Sequence, residues 1–165
     1  MTQYQPPSSL VLYADDDPDD LDLVSQAFKE HAQNVELITF HDGIELLRYI
    51  EKLDPLQPAP CLAIIDINMP RLDGKETLKR LRSINGYSEL PAVLFSTSSM
   101  PMDAKFAKYY KAGFITKPLH TQQIHLIINE IIEHCPDEVK RIIRKNSSLP
   151  SFLVTEFQKK ISIDV

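Results

Sequence analysis

Five short apolar runs, each followed by an amphipathic stretch, constrain the fold of this 165-residue chain more than any other feature. The runs are Leu10–Ala14 (LVLYA), Val35–Phe40 (VELITF), Cys61–Ile65 (CLAII), Ala92–Phe95 (AVLF) and the shorter Phe114–Thr116. Apolar runs of this length suit strands covered on both faces, as in a parallel sheet. The stretches between them have helical spacing. Asp19–Gln33 puts Leu21, Val24, Ala27 and Phe28 on one face, and Pro18 suits a first turn. Asp42–Leu53 repeats the pattern with Ile44, Leu47 and Ile50, and Gly74–Ile84 offers Leu78 and Leu81. Ala104–Ala112 is rich in alanine and tyrosine; Thr121–His134 carries Ile124, Ile127, Ile128 and Ile131, with Thr121 as the expected cap. A strand-helix order repeated five times predicts an α/β fold, because each crossover must return along the sheet face. The expectation is a five-stranded parallel sheet covered on both faces.

The flanks carry less pattern. Residues 1–8 (MTQYQPPS) read as a flexible leader, and Asp54–Pro60 (DPLQPAP) as a rigid loop. Residues 9–135 hold the five units. Residues 136–165 exceed what those units need and read as a C-terminal helical extension. The extension has a basic patch (Lys140, Arg141, Arg144, Lys145), a Ser-Ser-Leu-Pro break, and Phe152, Leu153, Phe157 and Ile161 on one helical face. That stripe is expected to pack on its own domain rather than on a partner. The extension is too short for a conventional DNA-binding output domain. A net charge of -5 argues against direct nucleic-acid binding. No apolar run is long enough to span a membrane, and the start of the chain does not read as a signal peptide. Cys61 and Cys135 have neither disulfide nor zinc spacing, which fits a cytoplasmic location. His31, His41, His120, His125 and His134 show no ligand spacing and read as structural or solvated.

In an open parallel sheet, ligands bind beyond the carboxyl ends of the strands. The first run is followed by Asp15, Asp16 and Asp17, and the third by Asp66, Ile67 and Asn68. The fourth is followed by Ser96 through Ser99, and the fifth by Lys117 and Pro118. Carboxylates gathered at one edge repel unless a cation holds them, and a hard ion such as Mg²⁺ suits an all-oxygen set. A lysine and a hydroxyl beside them can contact phosphoryl oxygens. The set is suited to phosphoryl transfer, where positioning and charge neutralisation dominate.

Four motifs in this order, ADDDP (14–18), IIDINMPRLDG (64–74), LPAVLFSTS (90–98) and GFITKPL (113–119), resemble the response-regulator receiver family of two-component signalling, of the stand-alone, single-domain type. The resemblance spans residues 9–135 and implies an α/β, doubly wound five-stranded parallel sheet of flavodoxin-like strand order 2-1-3-4-5, with helices on both faces. It implies that Asp66 accepts a phosphoryl group from a histidine kinase or phosphotransfer protein, that Asp16 binds Mg²⁺ (or Mn²⁺) directly and Asp15 through water, and that the Asn68 backbone carbonyl is a further ligand. It implies that Lys117 pairs with Asp66 and then with the phosphoryl group, that Ser96 moves toward that group, and that the Phe114 rotamer follows Ser96. Many relatives carry tyrosine where Phe114 stands; phenylalanine offers no hydroxyl to an output partner. Asn68 and Ser98 stand where family members tune hydrolysis. The Lys117–Pro118 bond is expected to be cis. The implied partners are that kinase, a downstream protein and, for a dimerising regulator, a second copy of the chain; neither nucleic acid nor membrane is expected as a direct partner.

Each residue also has a plainer reading. Asp15–Asp17 can be an acidic turn that caps a helix. Lys117 and Ser96, taken singly, are a surface lysine and a turn residue, and Phe114 is half-buried packing. Among Phe106, Tyr109 and Tyr110, helical geometry leaves one aromatic exposed on the expected output face. Two rival functions share the topology: a phosphatase of the haloacid-dehalogenase type, which places a second Asp where this chain has Asn68, and an interaction module that works without phosphorylation. A flavodoxin needs a hydroxyl-rich phosphate loop where this chain has acids.

Overall fold

Each apolar run becomes a strand. The computed structural model describes residues 9–32 and 35–144. Along the chain come β1 (Ser9–Ala14), α1 (Pro18–His31), β2 (Val35–Phe40), α2 (Gly43–Glu51), β3 (Pro60–Asp66), α3 (Gly74–Ser83), β4 (Ala92–Ser96), α4 (Pro101–Tyr109), β5 (Gly113–Thr116), a 3-10 turn (Thr121–Gln123), α5 (Ile124–Glu133) and α6 (Asp137–Arg144). The five strands are parallel and ordered β2-β1-β3-β4-β5, as the resemblance implies.

Alternation along the strands builds two cores. Val11, Tyr13, Ile64, Val93, Phe95 and Ile115 point to one face, where α1, α5 and α6 cover them. Leu10, Leu12, Ala14, Ala63, Ile65 and Leu94 point to the other, under α2, α3 and α4. Burial on both faces is why the strands read as unbroken apolar runs. Each fully buried Leu or Ile stabilises the fold by roughly 2 kcal/mol against exposure.

Three aspartates start helices. Asp17, Asp42 and Asp73 are the N-caps of α1, α2 and α3, and accept from the backbone N–H of Asp19, Glu45 and Glu76. The helix expected over Ala104–Ala112 begins earlier, at Pro101, because proline opens a first turn without losing a hydrogen bond. It ends before Lys111, whose φ of 53° turns the chain into the left-handed region. The cap expected at Thr121 is replaced: Thr121 opens the 3-10 turn, and Gln123 is the N-cap of α5, without a side-chain cap bond. In α6, Ile143 is buried against the α1/α5 core. The leader (1–8), Lys145 and the stripe of Phe152, Leu153, Phe157 and Ile161 lie outside the described residues.

Candidate functional site

The edge beyond the strand C-termini gathers side chains from four strands. β1 delivers Asp15, fully buried, and Asp16, exposed. Asp15 is fixed from two sides: the Tyr13 hydroxyl donates to its Oδ2 at 2.5 Å, and the Asp17 N–H donates to its Oδ1 at 3.0 Å. Burial, and then the neighbouring Asp15 charge, push the Tyr13 phenol well above its ordinary value, so it stays a proton donor. Asp17 takes the plainer role and caps α1, while Asp15 and Asp16 lie near Asp66 at the sheet edge.

β3 ends on Asp66, which is 4% exposed. Oxygens of Asp15, Asp16 and Asp66 all lie within 4.8 Å of one another. Burial raises the Asp66 carboxyl above its usual range, Lys117 pulls it down, and Asp15 raises it again. An N–H of Asn68 donates to the same carboxylate. The loop beyond is tightly built. A Cβ on Gly74 would lie 2.1 Å from the Asp66 carbonyl oxygen, so only glycine lets α3 start this close to the end of β3. Arg71, at a φ of 63°, pairs with the buried Asp42 and thereby ties this loop to α2.

Lys117 follows β5. Its Nζ reaches Asp15 Oδ2 at 2.6 Å, Asp20 Oδ2 at 2.8 Å and Asp66 Oδ1 at 3.1 Å. Burial works against the ammonium, but the hydrogen bonds to Asp15 and Asp20 outweigh it and hold Lys117 above its ordinary value. The expected cis bond is corrected here: the described residues contain no cis peptide, and Lys117–Pro118 is trans. A trans X-Pro bond is the lower-energy isomer. The Lys117 N–H bonds Ser96 O at 2.8 Å, and from that anchor the side chain already spans the site.

Ser96 is fully buried at the end of β4, and its Oγ accepts from the Ser98 N–H at 3.1 Å. The Ser98 hydroxyl in turn donates to Asp103 Oδ2 at 3.0 Å, and Lys75 Nζ sits 2.5 Å from Asp103 Oδ1. The β4–α4 loop is therefore fastened to α3 through a buried aspartate. Phe114 is half-buried and packs on the α4 side of the sheet. On α4, Phe106 and Tyr110 stack at 4.7 Å while Tyr109 is 80% exposed, the odd aromatic that helical geometry required.

Four features escaped the sequence. Asp20 joins the lysine from the first turn of α1. Tyr13 lies two residues before Asp15 on the same side of β1, a spacing that was legible. Asp103 is a helical aspartate with no local sign of burial. His31 and His125 meet although 94 residues separate them.

Chemically the site is an all-oxygen pocket with surplus negative charge. Asp15, Asp16 and Asp66 bring three carboxyl groups together, with Asp20 as a fourth on the single Lys117 ammonium. Such a donor set fits a hard divalent cation. Doubly wound parallel topology with a carboxylate-lysine site at the strand ends defines a receiver-type domain. The family model for the response regulator receiver domain matches residues 11–129, and the chain belongs to that family of two-component signalling proteins.

Curated relatives include the response regulator Rcp1 of Synechocystis, 27% identical over 59% of this chain and 68% of its own length. Another is the response regulator GtcR of Aneurinibacillus migulanus, 35% identical over 68% of this chain but 43% of GtcR. The chain thus spans less than half of that relative. Among solved structures, the phosphorylated cyanobacterial phytochrome response regulator RcpA is 25% identical, with a TM-score of 0.70 over 79% of this chain and 95% of its own. The Mn²⁺-bound form of Rcp1 is 21% identical, with a TM-score of 0.68 over 86% of this chain and 99% of its own, and shares the fold. Receiver domains act with histidine kinases and downstream targets. Among the described residues no helix is long and apolar enough to cross a membrane.

Proposed function

We propose that this chain is a phosphoacceptor switch, in which Asp66 takes a phosphoryl group from a phosphohistidine on a histidine kinase or phosphotransfer protein. The observation that carries the reading is the buried convergence of Asp66, Asp15 and Lys117, with Asp16 beside them, at the strand ends. An oxygen of the Asp66 carboxylate attacks phosphorus in line. The phosphorus–nitrogen bond breaks, its electron pair stays on the imidazole, and that nitrogen takes up a proton. The Asn68 N–H and Lys117 hold the carboxylate in place for attack. Lys117 then transfers its contact from the carboxylate to the phosphoryl oxygens.

Asp15, Asp16 and Asp66, with the Asn68 backbone carbonyl, are the residues that would hold Mg²⁺ or Mn²⁺. Bound there, the ion supplies neutralisation of charge on the transferring group. The Mn²⁺-bound form of Rcp1 and the phosphorylated form of RcpA support this reading by similarity.

The output is a protein surface. Ser96 leaves its bond to the Ser98 N–H for the phosphoryl group, Phe114 follows into the space, and the α4–β5–α5 face shifts between two states. Residues 9–135 act as the receiver unit and 136–165 as its extension, in the cytoplasm. The downstream partner is another protein or a second copy of the chain, not nucleic acid or membrane. The protein is a regulator that catalyses only its own phosphorylation and dephosphorylation.

The test is incubation with acetyl phosphate, with and without Mg²⁺, followed by phosphate-affinity electrophoresis. A retarded band that needs Mg²⁺ and is absent in Asp66→Asn supports the proposal. A band that persists in the variant contradicts it.

A further inference from the structure

The end of α1 and the start of α5 meet on the face of the sheet remote from α2, α3 and α4. His31 closes α1 and His125 is the second residue of α5. His31 Nε2 and His125 Nδ1 are 2.5 Å apart, with the rings edge-to-face and their centroids at 4.7 Å. Glu30 completes the group: its Oε2 lies 3.8 Å from His125 Nε2, and its Oε1 accepts from the Gln26 side-chain amide at 3.3 Å. One ligand atom from each of Glu30, His31 and His125 falls within 4.8 Å of the other two.

We propose that Glu30, His31 and His125 form a second cation site, for a borderline-soft divalent ion of the Zn²⁺ class, which clamps α1 to α5. Two imidazoles and a carboxylate are a common donor set for zinc, with water in the remaining position. Mg²⁺ prefers oxygen, so the cluster is chemically distinct from the acidic site at the strand ends. Two nitrogens on one tetrahedral zinc stand about 3.3 Å apart, given zinc–nitrogen bonds of roughly 2.0–2.1 Å. The present pair therefore needs to open by less than about 1 Å.

Two further features favour a cation here. Gln26 orients the carboxylate as outer-sphere partners of metal ligands do. The negative end of the α1 dipole lies at His31 and favours positive charge there. The inference does not depend on phosphoryl transfer.

The experiment is calorimetric titration of Zn²⁺ into the full chain under saturating Mg²⁺, repeated on His31→Gln, His125→Gln and Asp16→Asn. Circular dichroism confirms that each variant is folded. His125 is exposed and His31 half-buried, and each variant carries the test independently. The expected result is one equivalent with a micromolar Kd, weakened at least about tenfold by either histidine substitution and unchanged by Asp16→Asn. Three results overturn the proposal: no binding; binding that survives both histidine substitutions, which assigns it to the thiols of Cys61 and Cys135 or to scattered carboxylates; or binding lost in Asp16→Asn, which puts the zinc in the acidic site.

Discussion

The Lys117 ammonium is held 3.1 Å from Oδ1 of Asp66, in an ion pair whose two side chains are 9% and 6% exposed. Its charge opposes the upward push of burial on the Asp66 carboxyl, and it also repels any cation entering beside it. Lys117→Ala is therefore expected to do two opposite things. Phosphoryl transfer to Asp66 falls, because the charge on the transferring oxygens loses a partner. Mg²⁺ affinity rises by about tenfold, roughly 1.4 kcal/mol, because a nearby positive charge is gone. Rapid-quench kinetics and a Mg²⁺ titration read the two effects separately.

The acidic edge gathers carboxyl groups whose mutual repulsion a bound divalent ion is expected to relieve. Saturation at about a hundred times Kd stabilises the fold by roughly 2.7 kcal/mol, a rise in Tm of about 5–10 °C. Thermal denaturation with Mg²⁺ and with a chelator measures the shift. Asp16→Asn, which keeps the buried pair intact, is expected to remove most of it.

How much of this was legible depended on range. The five strands and the helices between them could be read, because double-sided burial writes itself as local runs such as CLAII and AVLF. Asp15, Asp66, Ser96 and Lys117 could be placed because strand ends are where such a sheet exposes function. Helix starts were less legible: α4 begins at Pro101, ahead of the alanines that marked it. Contacts between distant segments away from the strand ends were not legible. Nothing near His31 announces His125, and nothing near Asp103 announces Lys75 or Ser98. The isomer of the Lys117–Pro118 bond depends on tertiary packing, which a dipeptide does not encode.

Asp103 gives the protein an acid-sensitive fastening. The hydrogen bond from Lys75 is the main cause that holds its carboxyl below the usual range, helped by Ser98. A depressed folded value means the stabilisation is complete above the unfolded value near 4 and is lost as pH falls through the lower folded value. Asp103→Asn is expected to lower stability at neutral pH by about 1–3 kcal/mol and to flatten the decline of Tm between roughly pH 5 and pH 3. A parallel decline in wild type and variant would argue against this role.

Arg82 binds three carbonyls that no lysine can reach together. Its Nε donates to Tyr110 O at 2.8 Å, Nη1 to Leu90 O at 2.8 Å and Nη2 to Lys111 O at 3.1 Å. The fork ties α3 to the end of α4 and to the entry of β4. Arg82→Ala is expected to cost about 2 kcal/mol in chemical denaturation, and Arg82→Lys to recover less than half of it, since one ammonium cannot reproduce the planar geometry.

The most direct test of the central claim is the intact mass of the protein after incubation with acetyl phosphate and Mg²⁺, beside the same measurement on Asp66→Asn. The account predicts a gain of one phosphoryl group, abolished by the substitution and by a chelator. An unchanged mass under every Mg²⁺ condition, or a gain that survives in Asp66→Asn, would contradict it.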